Sequence, residues 1–516
     1  MIKRDILKNV GSSWFSLGIN VLIGFFLSPF IVHRLGDAAF GIWVLIFSIT
    51  GYYGIFDMGI RSSVIRYIAK FTAVQDKEGL AKFFNTILAT YTCIGLVTAL
   101  ITLILSRHVG PMFHIEPGFL PTAKLLVLMV GLSVAVGFPL GIFAGMLEGL
   151  QRFYLLNFTN IAGLVLRAIL TVVALHRGYG LLTVGMITVF LPVLVSILRA
   201  ILVMRILPIP VRWKYVSRDS FREMSNYSGT TFIIQVAYKL RFKTDVIIIG
   251  KYLSSVAITQ FSIGGRLVDY AGDVVGSMSQ IFVPMSSQSD AKGDLGNLRK
   301  LFVAGNRASA IIIFPISAIL MILGPSIIEA WMGLRYVEQS YPIMLVLLIP
   351  MTLVLSQSAS PRILFGMARH RTLAWVTSFE AVANLILSIY LVQRMGVIGD
   401  AIGTAIPLSF TAVYFTPRYL AGLLNIRQRT FLREAYVLPV LLCLPQVAVL
   451  VVMRRWFPVH HLLPLMGEVL VSMAVYGAGL FWAVRTGHAY KVGDLVLNPA
   501  LEAENTDLAE TLPEQV

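Results

Sequence analysis

The sequence predicts an all-α polytopic membrane protein with about 14 transmembrane helices, and three observations carry that prediction. First, the 516 residues are 57% hydrophobic and 13% charged, with a mean hydropathy of +0.79. Soluble domains carry roughly 25% charged residues, so polar material is too scarce to cover the two or three soluble domains a chain this long would otherwise form. Second, the apolar residues come in runs of about 20, the length that crosses a bilayer as a helix. Third, the net charge of +16 is dispersed between those runs. On a soluble protein it would point to nucleic acid; here it reads as membrane topology, and no nucleic-acid partner is expected.

In order, the runs are 10–32, 39–60, 83–106, 123–146, 154–175, 180–204, 228–250, 256–283, 303–324, 342–364, 373–393, 399–421, 435–453 and 463–484. The first follows Lys3, Arg4 and Lys8 and has full spanning length with no small-residue cleavage site after it, so it reads as a span and not as a removed signal peptide. The runs are too long and continuous for the alternating pattern of an outer-membrane barrel. An even count puts both termini on one side. If that side is cytoplasmic, and a cation within four residues of a span end is counted with the adjoining loop, 27 Lys and Arg residues fall inside, nine outside and six deep within spans. The threefold bias is a positive-inside signal, and it supports the count because one missed span would invert it downstream. The reading is a multi-pass protein of the bacterial inner membrane with cytoplasmic N- and C-termini.

The basic connection at 205–227 divides the first twelve spans into two sets of six. Residues 1–208 are expected to form an N-terminal lobe and 209–430 a C-terminal lobe. Helices 13 and 14 occupy 431–485, and a polar, disordered cytoplasmic tail 486–516. The halves are weakly alike: each opens with a helix pair followed by a charged loop, at 66–82 and 288–300. Internal repeats of this kind occur in secondary transporters, with the substrate between the halves.

Charges inside spans are costly and usually face the protein interior or a water-filled cavity. The bases there are Arg167, Arg199, Lys239, Arg241, Lys243 and Arg266; the acids are Asp57, Asp245, Asp269, Asp273 and Glu380. Glu148 sits at a helix end that water can reach and is set aside. In span seven, Lys239 and Lys243 share one helical face, and Arg241 and Asp245 another. Such a helix should border a hydrated space. One reading is a cationic cavity for an anionic group such as a pyrophosphate, with Arg giving forked bonds and Lys a point charge. The other is internal neutralisation, Arg241 by Asp245 and Arg266 by Asp269 or Asp273. Asp57 is expected to pair with Arg61. Asp269, Asp273 and Glu380 are candidates for coupling to an H⁺ or Na⁺ gradient.

Span four carries Gly137, Gly141, Gly145 and Gly149 four apart, a row that permits close helix approach. Pro29, Pro139, Pro192, Pro284, Pro350 and Pro407 lie in or near spans, where they allow kinks. Cys93 and Cys443 lie in apolar runs, so no disulfide framework or metal site is expected. The sequence has no GxxxxGK[ST], no His-Glu-x-x-His and no G-x-S-x-G. His460 and His461 read as surface residues. No enzyme, catalytic residue or cofactor is expected.

The stretch Leu35-Gly-Asp-Ala-Ala-Phe-Gly-Ile-Trp43, then Gly51-Tyr-Tyr-Gly-Ile-Phe-Asp57-Met-Gly59 and Arg66, resembles the opening of polysaccharide transporters, the group that includes Wzx-type O-antigen flippases. The second half is similar to them at Asp245-Val-Ile-Ile-Ile-Gly250, at Ile281-Phe-Val-Pro284 and at Asp294 to Phe302. The resemblance covers roughly 1–430. It implies two pseudo-symmetric six-helix lobes in a MATE-like V around a central cavity. It also implies transport of undecaprenyl-pyrophosphate-linked oligosaccharides by alternating access, in company with membrane lipids and with glycan polymerases or glycosyltransferases. The two extra helices depart from the twelve-span form; in lipid II flippases, which are similar, such a pair builds a groove for the polyprenyl tail. Alternatives are a MATE-type small-molecule antiporter, a lipid II-type flippase and a non-transporting scaffold.

Overall fold

The computed structural model describes residues 2–57, 59–113, 115–222, 224, 236, 239–240, 243–456 and 461–488. Arg241, most of span seven, His460 and the tail from 489 lie outside them. The described chain is helical, with no β-strand, and divides into two compact units, Met1–Ser262 and Ile263–Val516.

The first unit contains α1 (Ile2–Leu35), α2 (Asp37–Gly51), a 3₁₀ segment (Tyr52–Asp57), α3 (Ile60–Ala73), α4 (Lys77–Phe113), α5 (Leu120–Gly149), α6 (Phe153–His176), α7 (Leu181–Ile206) and α8 (Asp245–Tyr252). α5 is central: α4, α7, α3 and α2 all pack on it, while α1 lies along α6. Their shared core holds Tyr67, Phe83, Phe84, Ile142, Met146 and Leu147. The basic connection after α7 is pinned onto α4. Asn85 donates to the Pro210 carbonyl and accepts from the Arg212 amide, both at 2.8 Å. α2 meets the start of α9 (Ser255–Ser279) almost backbone to backbone, because Gly41 has no side chain to hold them apart. The Thr259 hydroxyl donates to the Asp37 carbonyl at 2.7 Å. These contacts carry the first unit past residue 208 to Ser262.

The second unit continues along α9 into α10 (Phe282–Ala291), α11 (Leu295–Met332), α12 (Val337–Ser356), α13 (Ala359–Gly366), α14 (His370–Phe410), a π-helical turn (Thr411–Phe415), α15 (Thr416–Leu423), α16 (Gln428–Trp456) and α17 (Leu462–Arg485). α11 is its axis, packed by α12, α16 and α17. Asp294 caps α11 by accepting from the Asn297 amide at 2.8 Å. Phe302 stacks on Phe431 with ring centroids 4.3 Å apart. α14 folds back on itself at Gly396, whose φ of 63° is open to glycine at little cost. The returning half is laced to the outgoing one: Asn384 donates to Thr404 at 3.0 Å and Ser388 to the Asp400 carbonyl at 3.2 Å.

Eleven helical stretches of the described residues are long and apolar enough to cross a membrane. The predicted count of fourteen is not reached, at three places. Residues Arg371–Leu423 form one 53-residue stretch that contains the Gly396 fold-back. α9 has the length, but its residues are too polar. Span seven lies mostly outside the described residues.

Candidate functional site

The 3₁₀ segment 52–57 is the pivot of the site in the first unit. Against it lies a half-open cavity of 230 Å³ lined by the segment itself and by α3, α4 and α5. Its polar wall is Asp57, Arg61 and Tyr91; its apolar wall is Val134, Phe138 and Ile142. The Tyr91 hydroxyl donates to Asp57 Oδ1. Arg61 Nη2 reaches Glu148 Oε1 at 2.5 Å across α3 and α5. The expected pairing of Asp57 with Arg61 is therefore corrected: the guanidinium is taken by Glu148, the carboxylate set aside from sequence. An ionised carboxylate accepts at about four lone-pair positions, so Asp57 keeps acceptor capacity toward the cavity after binding Tyr91.

The glycine row of α5 also differs from expectation. Gly145 and Gly149 do permit close approach. A methyl on Gly145 would lie 3.0 Å from Val64 Cγ1, and one on Gly149 would lie 2.9 Å from the Ile65 carbonyl oxygen, both on α3. Gly137 and Gly141 pack against nothing. A methyl on either would meet no atom within 4 Å, and both face the cavity.

Lys239 lies against the same segment, its Nζ 3.1 Å from where a methyl on the cavity-lining Gly54 would stand. Its Nζ donates to the Gly51 carbonyl at 2.5 Å, placing a cation at the C-terminus of α2, where the helix dipole favours it. Tyr52 ties the same junction together, donating to the Lys239 carbonyl at 3.1 Å and sharing a 2.5 Å hydrogen bond with the Thr244 hydroxyl. Lys243 is exposed. Asp245 is buried in the first turn of α8, where a negative charge is favoured.

Arg199, buried on α7, donates from Nε to Thr159 Oγ1 at 2.9 Å and from Nη2 to Asn160 Oδ1 at 2.6 Å. Both partners are neutral, so the charge persists. Arg167 is half-buried on α6. In the second unit, α9 presents Arg266, Asp269 and Asp273 on exposed positions, with the guanidinium 5.1 Å from the Tyr270 ring centre. Glu380 is buried and accepts from the Thr411 hydroxyl across the α14 fold-back. The bases anticipated as one cavity are thus distributed: Lys239 and Lys243 flank the 3₁₀ segment, Arg199 and Arg167 lie on α6 and α7, and Arg266 belongs to the second unit.

Sequence reasoning missed several buried charges. Asp400, fully buried, sits at the start of the predicted span 399–421, where nearness to the span end hides a charge. Glu468, buried on α17, was absorbed into an apolar run. Arg299 and Arg307 were counted as cytoplasmic loop cations, yet both are buried on α11. Their signal was the length of the run: α11 is 38 residues, so its charged start is helix and not loop.

The sequence profile of the family described as polysaccharide biosynthesis protein matches residues 31–341, more than half of the chain. The chain belongs to that family. Two curated relatives of this polysaccharide biosynthesis protein are each 20% identical. One is the uncharacterised membrane protein EpsK of Bacillus subtilis (80% of this chain and 83% of EpsK covered); the other is a candidate O-antigen transporter of Shigella flexneri (79% and 96%). Among solved structures, it is similar to the lipid II flippase MurJ in its inward closed conformation. The TM-score is 0.70 at 15% identity, covering 93% of this chain and 99% of MurJ. An inward-facing MATE multidrug transporter of the MOP superfamily matches with a TM-score of 0.66 at 14% identity, covering 79% and 94%. At these identities the likeness is one of fold. The uncovered share in the MurJ match is smaller than α16 and α17 together, so that likeness reaches into the last two helices. The chain is a multi-pass membrane protein of that family, with a fold similar to those of MurJ and the MATE transporter.

Proposed function

We propose that the protein is a flippase that moves an undecaprenyl-pyrophosphate-linked oligosaccharide across the bacterial inner membrane by alternating access, with both termini cytoplasmic. One observation carries the reading: a membrane-length polar helix that exposes a cation, Arg266. α9 is 25 residues long, about 37 Å at 1.5 Å per residue, enough to cross a bilayer. A helix of that length that exposes Arg266, Asp269 and Asp273 cannot lay this face against lipid cheaply, so the face borders water. Lys239 and Lys243 add two cations near the end of α2, and no ion pair is formed by Lys239, Lys243 or Arg266 among the described residues. A pyrophosphate headgroup is the anionic partner such cations accommodate, by forked bonds from Arg and a point charge from Lys. The family supports this reading, as does the name of the Shigella relative.

In this account the lobes 1–208 and 209–430 alternate around the substrate and helices 431–485 flank them. Asp57, Asp245, Asp269, Asp273 and Glu380 are the candidates for coupling to H⁺ or Na⁺, and a glycan polymerase or glycosyltransferase is the candidate partner. Lys239→Ala combined with Arg266→Ala is expected to abolish glycan export in cells while the protein still accumulates in the membrane. Normal export by that double variant would remove the cationic surface from the account. A second reading, a small-molecule antiporter, is favoured by the acidic and aromatic lining at Asp57, Tyr91 and Phe138. It requires drug accumulation to rise when the gene is deleted, with glycan export untouched.

A further inference from the structure

Glycine in the interior of a helix is less favourable than alanine by up to about 1 kcal/mol. At Gly145 and Gly149 that cost is offset by packing, because α3 occupies the room a side chain would need. At Gly137 and Gly141 no neighbour occupies it, and the room opens into the 230 Å³ cavity. The cavity is half open, and its 230 Å³ gives room on the scale of one sugar ring. A proton or a metal ion would not need two missing side chains.

The lining narrows the choice. Arg61 is held by Glu148, Arg199 is within electrostatic reach of both, and Asp57 with Tyr91 is left to face the cavity as its polar wall. A carboxylate and a phenol on one wall, with Val134, Phe138 and Ile142 on the other, match a ligand with hydroxyls along its rim and an apolar C–H face.

We propose that the cavity among α3, α4 and α5 binds a single pyranose unit, kept open by Gly137 and Gly141, with Asp57 accepting hydrogen bonds from its hydroxyls and Phe138 covering its C–H face. The inference rests on the reading of the protein as an oligosaccharide carrier. It assigns to this site a part of the substrate other than the one held by Lys239 and Arg266.

The test is saturation-transfer NMR on the purified full chain in detergent. The probes are the methyl pyranosides of glucose, galactose, mannose and N-acetylglucosamine, with tetraphenylphosphonium as an organic cation. At least one pyranoside is expected to receive magnetisation from the wild type, and Gly141→Leu is expected to weaken its binding about tenfold or more, a change of about 1.4 kcal/mol. Should Gly141→Leu fail to fold, the double variant Gly137→Ala/Gly141→Ala takes its place. Its two methyls meet no atom within 4 Å, so it should fold as the wild type does and bind the pyranoside more weakly. The proposal is overturned by the absence of transfer to every pyranoside, by transfer unchanged in the filled variants, or by tetraphenylphosphonium alone being displaced by them. Wild-type flipping of a lipid-linked glycan without pyranoside binding would sink this site and leave the transport reading standing. Pyranoside binding lost on filling, together with normal export by the Lys239/Arg266 double variant, would do the reverse.

Discussion

Arg307→Ala is expected to destabilise the second unit by about 3 kcal/mol, the lower end of the cost of breaking a buried ion pair from one side. Arg307 is 3% exposed on α11 and holds α16 by two bonds to one residue. Its Nε donates to the Glu434 carbonyl at 2.7 Å and its Nη2 to Glu434 Oε2 at 3.2 Å. A third bond, from Nη1 to the His488 carbonyl at 3.2 Å, reaches the end of α17. One guanidinium therefore joins the last two helices to the axis of the unit. Removing it leaves two carbonyls without their donor and the partly buried Glu434 carboxylate with only the exposed Arg433, 3.6 Å away. Glu434 retains some exposure, which places the cost at the low end. Arg307→Lys should recover only part of the loss, since an ammonium cannot reproduce the fork. Thermal unfolding in detergent reads the effect; a midpoint for Arg307→Ala equal to that of the wild type would show that the triple contact holds nothing.

Gly41→Val is expected to cost about 3 kcal/mol, the upper end of overpacking, or to drive α2 away from the start of α9. A Cβ at Gly41 would lie 1.8 Å from the Ser255 carbonyl oxygen, which is backbone on a facing helix and cannot rotate aside. The contact can be followed separately from stability by cross-linking Asp37→Cys to Thr259→Cys with a short bifunctional thiol reagent. The natural cysteines are replaced for this, because Cys93 is exposed. The cross-link should form in the parent and fail in Gly41→Val. Equal cross-linking in both would mean that the close approach is not set by the glycine.

Both residues show how far the sequence could be read. The spans were legible because each is a long apolar run, and the fold-back at Gly396 falls in the predicted gap between spans eleven and twelve. What a face meets was not legible. Spacing put Gly137, Gly141, Gly145 and Gly149 on one side of α5, yet Gly149 packs on α3, Gly137 and Gly141 face the cavity, and Gly145 does both. The sequence pattern is identical for both outcomes. Arg61 and Glu148 lie 87 positions apart and on different helices, so no local periodicity links them, and Asp57 was given the nearest cation in sequence in place of the hydroxyl of Tyr91. Arg307 was misplaced for a related reason: cations cluster at cytoplasmic ends, and one that turns inward looks the same in sequence as one that turns to water.

The central claim is that the cations Arg266, exposed on α9, and Lys239, at the end of α2, carry the anionic headgroup of a lipid-linked glycan. Its most direct measurement is flipping in proteoliposomes. Purified protein is reconstituted with a fluorescent undecaprenyl-pyrophosphate-linked oligosaccharide, and the label reaching the opposite leaflet is scored by a membrane-impermeant quencher. The wild type should translocate the lipid and the Lys239→Ala/Arg266→Ala variant should stay at the rate of protein-free vesicles. No translocation by the wild type, or wild-type rates from the double variant, would contradict the account.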